Sequence, residues 1–272
     1  MIYQTFKPIS QLERFIRFFW ILEQDSRLSN CEPERVIANG CVEMILHFGD
    51  RTQNVRQNQT SDYQPQTLIS GHLTEYFDVV QTGMTRFLCI LFKPQALRLF
   101  FDLPANELTN QQVDLELIKG SCSSDLSDQI ANAASNEERI KIVERYLLKR
   151  LTERNIYNFE RMGAVINFVN STTGSISVKE MAGKACLSDK QFYRIFSEQV
   201  GLSPKQFLRT IRLQQIFYMV QCNPKIELSE LVYRCGYYDQ AHFINDFKLQ
   251  TGMSPTTCFA KCNTSSDYFT SI

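Results

Sequence analysis

At 272 residues, 43% of them hydrophobic and 21% charged, with 20 Phe and 11 Tyr, the chain has ample apolar surface for packed cores and is long for a single one. Wholesale disorder is excluded and two domains are expected. The formal net charge is +0, but residues 160–262 hold 12 Lys+Arg against 8 Asp+Glu while the remainder holds 17 against 21, so the C-terminal end is the basic one and the candidate for nucleic acid.

Nine cysteines include no Cys-x-x-Cys pair, and the N-terminus lacks the charged, apolar and small-residue sections of a secretion signal. The longest apolar run, Phe87–Phe92, is far too short to cross a bilayer. A cytoplasmic protein with no membrane segment is expected.

In chain order, Ser10-Gln-Leu-Glu13 has the pattern of a capping box and precedes Leu12, Phe15, Ile16 and Phe19 at helical spacing, which predicts a short helix. Val36-Ile-Ala38, then Asn39-Gly40, then the alternating Val42, Met44, Leu46 and Phe48 predict a β-hairpin. Glu43 and His47 fall on the opposite face of that second strand, to meet water or to line an effector pocket. The polar stretch Gly49–Gln66 reads as a solvated loop. Strands are expected around Leu68-Ile69, Tyr76–Val80 and Phe87–Phe92, and a helix opened by Pro94. Ser135 and Glu138 then open a helix to about Arg154, with Ile140, Val143, Leu147 and Leu151 on one face; that stripe packs inside the chain or serves as a homodimer seam.

Beyond a boundary near residue 155 the sequence repeats itself. Phe192, Phe196, Gly201, Ser203 and Pro204 recur 51 residues later as Phe243, Phe247, Gly252, Ser254 and Pro255, while Met181-Ala182 recurs after 50 as Leu231-Val232. In the first copy Ser177-Val-Lys-Glu180 and Ser188-Asp-Lys-Gln191 are capping boxes on either side of a turn at Cys186-Leu187. The second copy runs from Leu228 to Cys235, turns at Gly236-Tyr237-Tyr238, and restarts after Asp239. Each copy is a helix, a tight turn and a helix, closed by Gly-x-Ser-Pro, and a long helix from Pro204 to about Cys222 joins them.

With Phe192, Ile195, Phe196 and Val200 inward, Lys190, Gln191, Tyr193 and Arg194 face out; in the second copy Gln240, Ala241, His242 and Asn245 do so. Two such units set recognition helices about 34 Å apart, one turn of B-DNA. Arg194 suits bidentate pairing with guanine, and Gln191 or Gln240 with adenine, although Gln191 also stands where its side chain can serve the cap. The helix starts at Ser177 and Ser203, with Lys205 beside the latter, suit phosphates.

Over about residues 160–259 the chain resembles the AraC/XylS family of bacterial regulators, through Leu187-Ser-Asp-Lys-Gln-Phe-Tyr-Arg-Ile-Phe196, Gly201-Leu-Ser-Pro204, Gly236-Tyr-Tyr-Asp-Gln-Ala-His-Phe-Ile-Asn-Asp-Phe-Lys248 and Gly252-Met-Ser-Pro255. Asn39-Gly-Cys-Val-Glu-Met-Ile-Leu-His-Phe-Gly49 and Phe92-Lys-Pro94 resemble a sensor-like domain found in part of that family. The resemblance implies promoter DNA as partner, mostly for activation, with RNA polymerase, a small-molecule effector and a homodimer as further partners. Departures cluster in the second unit: Asn245 stands where an arginine is common, Cys258 replaces an aromatic, and Phe259 replaces a basic residue. In the first unit Cys186 sits where the turn commonly has glycine, so its geometry is expected to differ slightly, and the first unit is expected to supply more of the specificity.

The expected fold is α+β: a β-rich sensor or dimerisation domain with C-terminal helices (1–155), an all-α domain with two helix-turn-helix units joined by a long helix (156–262), and a tail (263–272). The rival reading as a barrel enzyme finds only His47, His72 and His242, with no paired spacing for a metal, and no phosphate loop or nucleophile motif; no catalytic residue, metal or cofactor is assigned. A second rival keeps the fold but acts through protein partners.

Overall fold

The computed structural model describes residues 2–25, 32–56, 60–120 and 124–261; the expected tail 263–272 lies outside the described residues. Strands β1 (Ile2–Phe6), β2 (Ile16–Asp25), β3 (Glu34–Val36), β4 (Glu43–His47), β5 (Gln53–Val55), β6 (Ser61–Tyr63), β7 (Thr67–Ser70), β8 (Phe77–Val80), β9 (Met84–Phe92) and β10 (Gln112–Asp114) make two antiparallel sheets. One has the order β1-β2-β9-β4-β7-β10 and the other β3-β8-β5-β6.

The larger sheet is covered on both faces. Phe19, Ile21, Met44, Leu46, Ile69, Leu88, Ile90 and Phe92 pack with helices α1 (Ser124–Asn132) and α2 (Asn136–Arg150). Ile45, Leu68, Phe87 and Cys89 form a smaller cluster on the other side. Each large apolar side chain so enclosed contributes roughly 1.5–3 kcal/mol relative to exposure.

Four expectations for this region are corrected. The predicted helix after Ser10 is one turn, in which the Leu12 amide donates to the Ile9 carbonyl (2.8 Å) and the Ile16 amide to Leu12 (2.9 Å). The chain then extends into β2, because Ile16–Leu22 gains ladders with β1 and β9. Asn39-Gly40 does not close a hairpin: β3 pairs with β8 and β4 with β7 and β9, so the turn carries the chain from one sheet to the other. Gly40 has φ 76°, and Asn39 Oδ1 accepts from the Cys41 amide at 3.0 Å.

The described part of the polar stretch 49–66 forms β5 and β6 rather than a solvated loop, with Asn54 and Gln64 buried as a hydrogen-bonded pair (2.9 Å). The helix expected after Pro94 is a single 3-10 turn, Leu97–Leu99, in a stretch with too many buried apolar residues to leave a solvated face.

In α2 the stripe Ile140, Val143 and Leu147 is enclosed in the first core, so it is not a free dimer seam, and the helix stops at Arg150 rather than Arg154. Helix α3 (Ile156–Ser171) follows, then α4 (Val178–Lys184), α5 (Asp189–Val200), α6 (Pro204–Cys222), α7 (Leu228–Arg234), α8 (Gln240–Thr251) and α9 (Pro255–Lys261). The apolar spacing Phe159, Met162, Val165, Ile166 and Val169 marks the buried face of α3.

Candidate nucleic-acid interface

Helices α4 and α5 form the first helix-turn-helix unit, α7 and α8 the second. The first half of α6 completes one core with Met181, Phe192, Phe196, Phe207 and Ile211; its second half completes another with Leu213, Phe217, Leu231, Phe243, Phe247 and Cys258. Phe196 meets Phe207 edge to face at 5.5 Å, and Phe217 meets Phe247 likewise at 5.8 Å.

The turns match. Cys186 has φ 53° and Gly236 φ 68°, so the cysteine adopts the left-handed geometry that glycine has in the second copy. Gly201 and Gly252 end α5 and α8 at φ 94° and 72°.

All three capping boxes of the first copy and its exit form, and their chemistry bears on the DNA contacts. At α4 the Glu180 carboxylate accepts from the Ser177 amide (2.7 Å) and hydroxyl (2.7 Å), which holds its carboxyl below the usual range. A carboxylate therefore already occupies the helix start at Ser177, where a phosphate was expected. At α6 the cap partner is neutral Gln206, whose Oε1 accepts from Ser203 Oγ (2.7 Å), and Lys205 is exposed beside it. At α5 the Gln191 Oε1 accepts from Ser188 Oγ (3.0 Å), so an adenine contact using both ends of that amide competes with the cap.

Lys190, Tyr193 and Arg194 are exposed together on α5. Arg194 Nη1 donates to Glu198 Oε1 at 3.1 Å, one turn along the helix, an exposed pair worth only a few tenths of a kcal/mol and readily exchanged for a base edge. On α8 Gln240, Ala241, His242 and Asn245 are exposed, Asp239 caps the His242 amide (2.7 Å), and the His242 ring lies against Tyr237.

Two features were not read from the sequence. Asp246, buried, accepts from Arg209 Nε of α6 (2.7 Å), from the Tyr237 hydroxyl (2.9 Å) and from Gln250 Nε2 (3.2 Å). Burial first, and then the Asp246 charge, push the Tyr237 hydroxyl far up, keeping it a neutral donor. Tyr233 and Tyr238 stand almost fully exposed on α7 and the second turn. No spacing rule links Arg209 to Asp246 across two helices, whereas the aromatic turn Tyr237-Tyr238 was a visible signal.

In the N-terminal region the expected effector pair separates. Glu43 accepts from Asn39 Nδ2 (2.6 Å). His47 is buried rather than on a solvated face, and burial lowers its pKa to about 4. Its Nε2 meets Gln64 Oε1 at 2.9 Å, Gln64 donates to Asn54, and Asn54 Nδ2 donates to Gln112 Oε1 at 2.5 Å. The far end of that chain, Asn54 and Gln112, borders a cavity of about 240 Å³ together with Arg56, Tyr76 and Asn110. Among the described residues no group of three or more His, Cys, Asp or Glu is arranged to hold a metal, and no helix is long and apolar enough to cross a membrane.

Two tandem helix-turn-helix units that share one long helix define the class of the C-terminal part. A profile described as a helix-turn-helix domain matches residues 181–261, and one described as a domain of unknown function (DUF6597) matches residues 4–114. Residues 181–261 thus carry a helix-turn-helix domain, and the C-terminal part of the chain is similar to AraC-type regulators.

It is 29% identical over 116 residues to the Msm operon regulatory protein of Streptococcus mutans, covering 42% of this chain and 41% of that protein. It is 29% identical over 163 residues to a protein named "Probable transcriptional regulator LumQ" of Photobacterium leiognathi, covering 58% and 61%. To the HTH-type transcriptional activator RhaR of Salmonella dublin it is 29% identical over 87 residues, covering 32% and 30%. The alignments thus span between about a third and three fifths of these relatives' own length. Among solved structures, ToxT of Vibrio cholerae aligns with TM-score 0.47 at 9% identity over 95% of this chain and 97% of that one. The DNA-binding domain of AdpA in complex with a target DNA aligns with TM-score 0.34 at 25% identity over 37% and 90%.

Proposed function

We propose that this protein is a sequence-specific DNA-binding transcription regulator that reads a two-part site with α5 and α8. The observation that carries this is the pair of units on one shared helix, each with its polar recognition residues exposed opposite a phenylalanine core. Arg194 pairs with guanine, Lys190, Ser203 and Lys205 meet phosphates, and Gln240, His242 and Asn245 read or position the second half. Relatives named transcriptional activators support activation as the outcome.

A small effector fits the N-terminal cavity, with His47 acting through the Gln64–Asn54–Gln112 chain rather than touching it.

Gel shifts of genomic fragments at low salt test the proposal. Specific retention of a subset, weakening as salt rises with the slope of several released counterions, is expected. Equal retention of all fragments, or none, contradicts it.

A further inference from the structure

The N-terminal region grips both recognition helices, through loops and a 3-10 turn at the first and through β3 and the start of β8 at the second, and it does so at corresponding points. On the first unit, the Thr109 hydroxyl donates to the Gly201 carbonyl at the end of α5, and Gln199 Nε2 donates to the Gln95 carbonyl at 2.9 Å. A Cβ at Gly201 would stand 3.0 Å from the Ala105 carbonyl oxygen, so this approach is close.

On the second unit, the Arg35 fork holds Asp78 (2.8 and 3.0 Å), donates to the Thr251 carbonyl at the end of α8 (3.1 Å) and lies over the Tyr76 ring at 4.2 Å. That ring covers Gly252 so closely that a Cβ there would meet its Cζ at 2.3 Å. Between the grips, Gln214 of α6 donates to the Ala38 carbonyl at 2.7 Å.

The two grips are one piece. Asn110, next to Thr109, accepts from the Thr74 amide and donates to the Thr74 hydroxyl, both at 2.7 Å, and Thr74 lies two residues from Tyr76. The contacts made to α5 and α8 fall at their C-terminal ends, while Lys190, Arg194, Gln240 and His242 on the N-terminal halves stay exposed. The grips therefore fix the recognition helices without covering them. The two units otherwise have separate cores and are joined through α6 and the Arg209–Asp246 pair, so the grips form a second connection between them that bypasses α6.

We propose that the N-terminal region acts as a template for the distance and angle between the two recognition helices, with Arg35 and Tyr76 as positioning residues that restrict the DNA site to one half-site spacing. This rests on the two-part DNA reading above.

The test is selection of bound duplexes from a random-sequence pool by the full chain, with Tyr76→Ala, Arg35→Ala and Tyr76→Phe as variants. The wild type and Tyr76→Phe, which keeps the ring, are expected to enrich two motifs at one spacing. Tyr76→Ala and Arg35→Ala should enrich the same two motifs over several spacings, with at least about tenfold less preference for the wild-type one. Amide exchange at residues 249–253 should also quicken in those two variants without DNA, while the thermal midpoint confirms that they fold. Retention of a single spacing by both alanine variants overturns the template. Enrichment of one half-site motif by the wild type also overturns it but leaves DNA binding standing, whereas enrichment of none overturns the DNA reading and the template with it.

Discussion

Arg209 of α6 directs its Nε onto Asp246 Oδ1 of α8 at 2.7 Å, and the same carboxylate takes the Tyr237 hydroxyl on its other oxygen at 2.9 Å. One acidic side chain thus ties the shared helix, the second turn and the second recognition helix together. Because Asp246 is buried and Arg209 only partly so, removing the acid strands one exposable cation, one buried hydroxyl and the buried Gln250 amide. Asp246→Ala is expected to cost about 2–3 kcal/mol in urea unfolding. A double-mutant cycle with Arg209→Ala should show coupling of about 1 kcal/mol; additivity would show that the pair does not hold the unit.

Cys186 pays for its left-handed backbone at φ 53° where the second turn has glycine. Cys186→Gly is expected to raise stability by roughly 0.5–1 kcal/mol, and Gly236→Ala to lower it by at least as much, since a Cβ there would stand 2.9 Å from Ser175 Oγ. Thermal midpoints of the two variants moving in the same direction would show that the turns are not equivalent.

His47 and His72 are held at about 4, below the ordinary 6.5, mainly by burial. Between those values the unfolded chain binds protons that the folded chain refuses. Stability is therefore full above about pH 6.5, falls as pH drops toward 4, and levels off below it. Each histidine adds a slope of about 1.4 kcal/mol per pH unit. Urea midpoints taken from pH 7 to 4.5 should show His47→Gln losing one such slope; a variant parallel to the wild type would mean that His47 is charged in the folded protein.

What was legible in the sequence was local. Ser177 and Ser188 with Glu180 and Gln191 spell their capping boxes within four residues, and both formed; Ser203, read only as a helix start, proved to make a third with Gln206. The Phe192/Phe196 and Phe243/Phe247 spacing told inside from outside on both recognition helices. What misled was also local. Ser10-x-x-Glu13 and Asn39-Gly40 carry the same kind of signal, yet partners far along the chain decided the outcome: β9 drew Ile16–Asp25 into a strand, and β8 drew β3 away from β4. The Arg209–Asp246 pair, 37 residues apart, and the Arg35–Thr251 contact, 216 apart, leave no mark on any window of sequence.

Arg194 separates base reading from surface charge. Its Glu198 pair is exposed and weak, so Arg194→Ala should leave stability within about 0.5 kcal/mol while weakening a selected site by about 1–3 kcal/mol and relaxing discrimination at one base pair. Titration against the selected duplex and its single-base variants checks this; uniform weakening across all duplexes would assign the arginine to phosphate instead.

On the proposed reading, one chain places two recognition helices in successive major grooves. Interference by methylation at guanine N7, mapped on a selected fragment bound by the wild-type chain, tests it most directly, because that atom lies in the major groove. Two clusters of interfering guanines about 10 base pairs apart on one face of the duplex are expected, with the cluster under α5 losing a position in Arg194→Ala. A single cluster, or interference spread evenly around the helix, would contradict it.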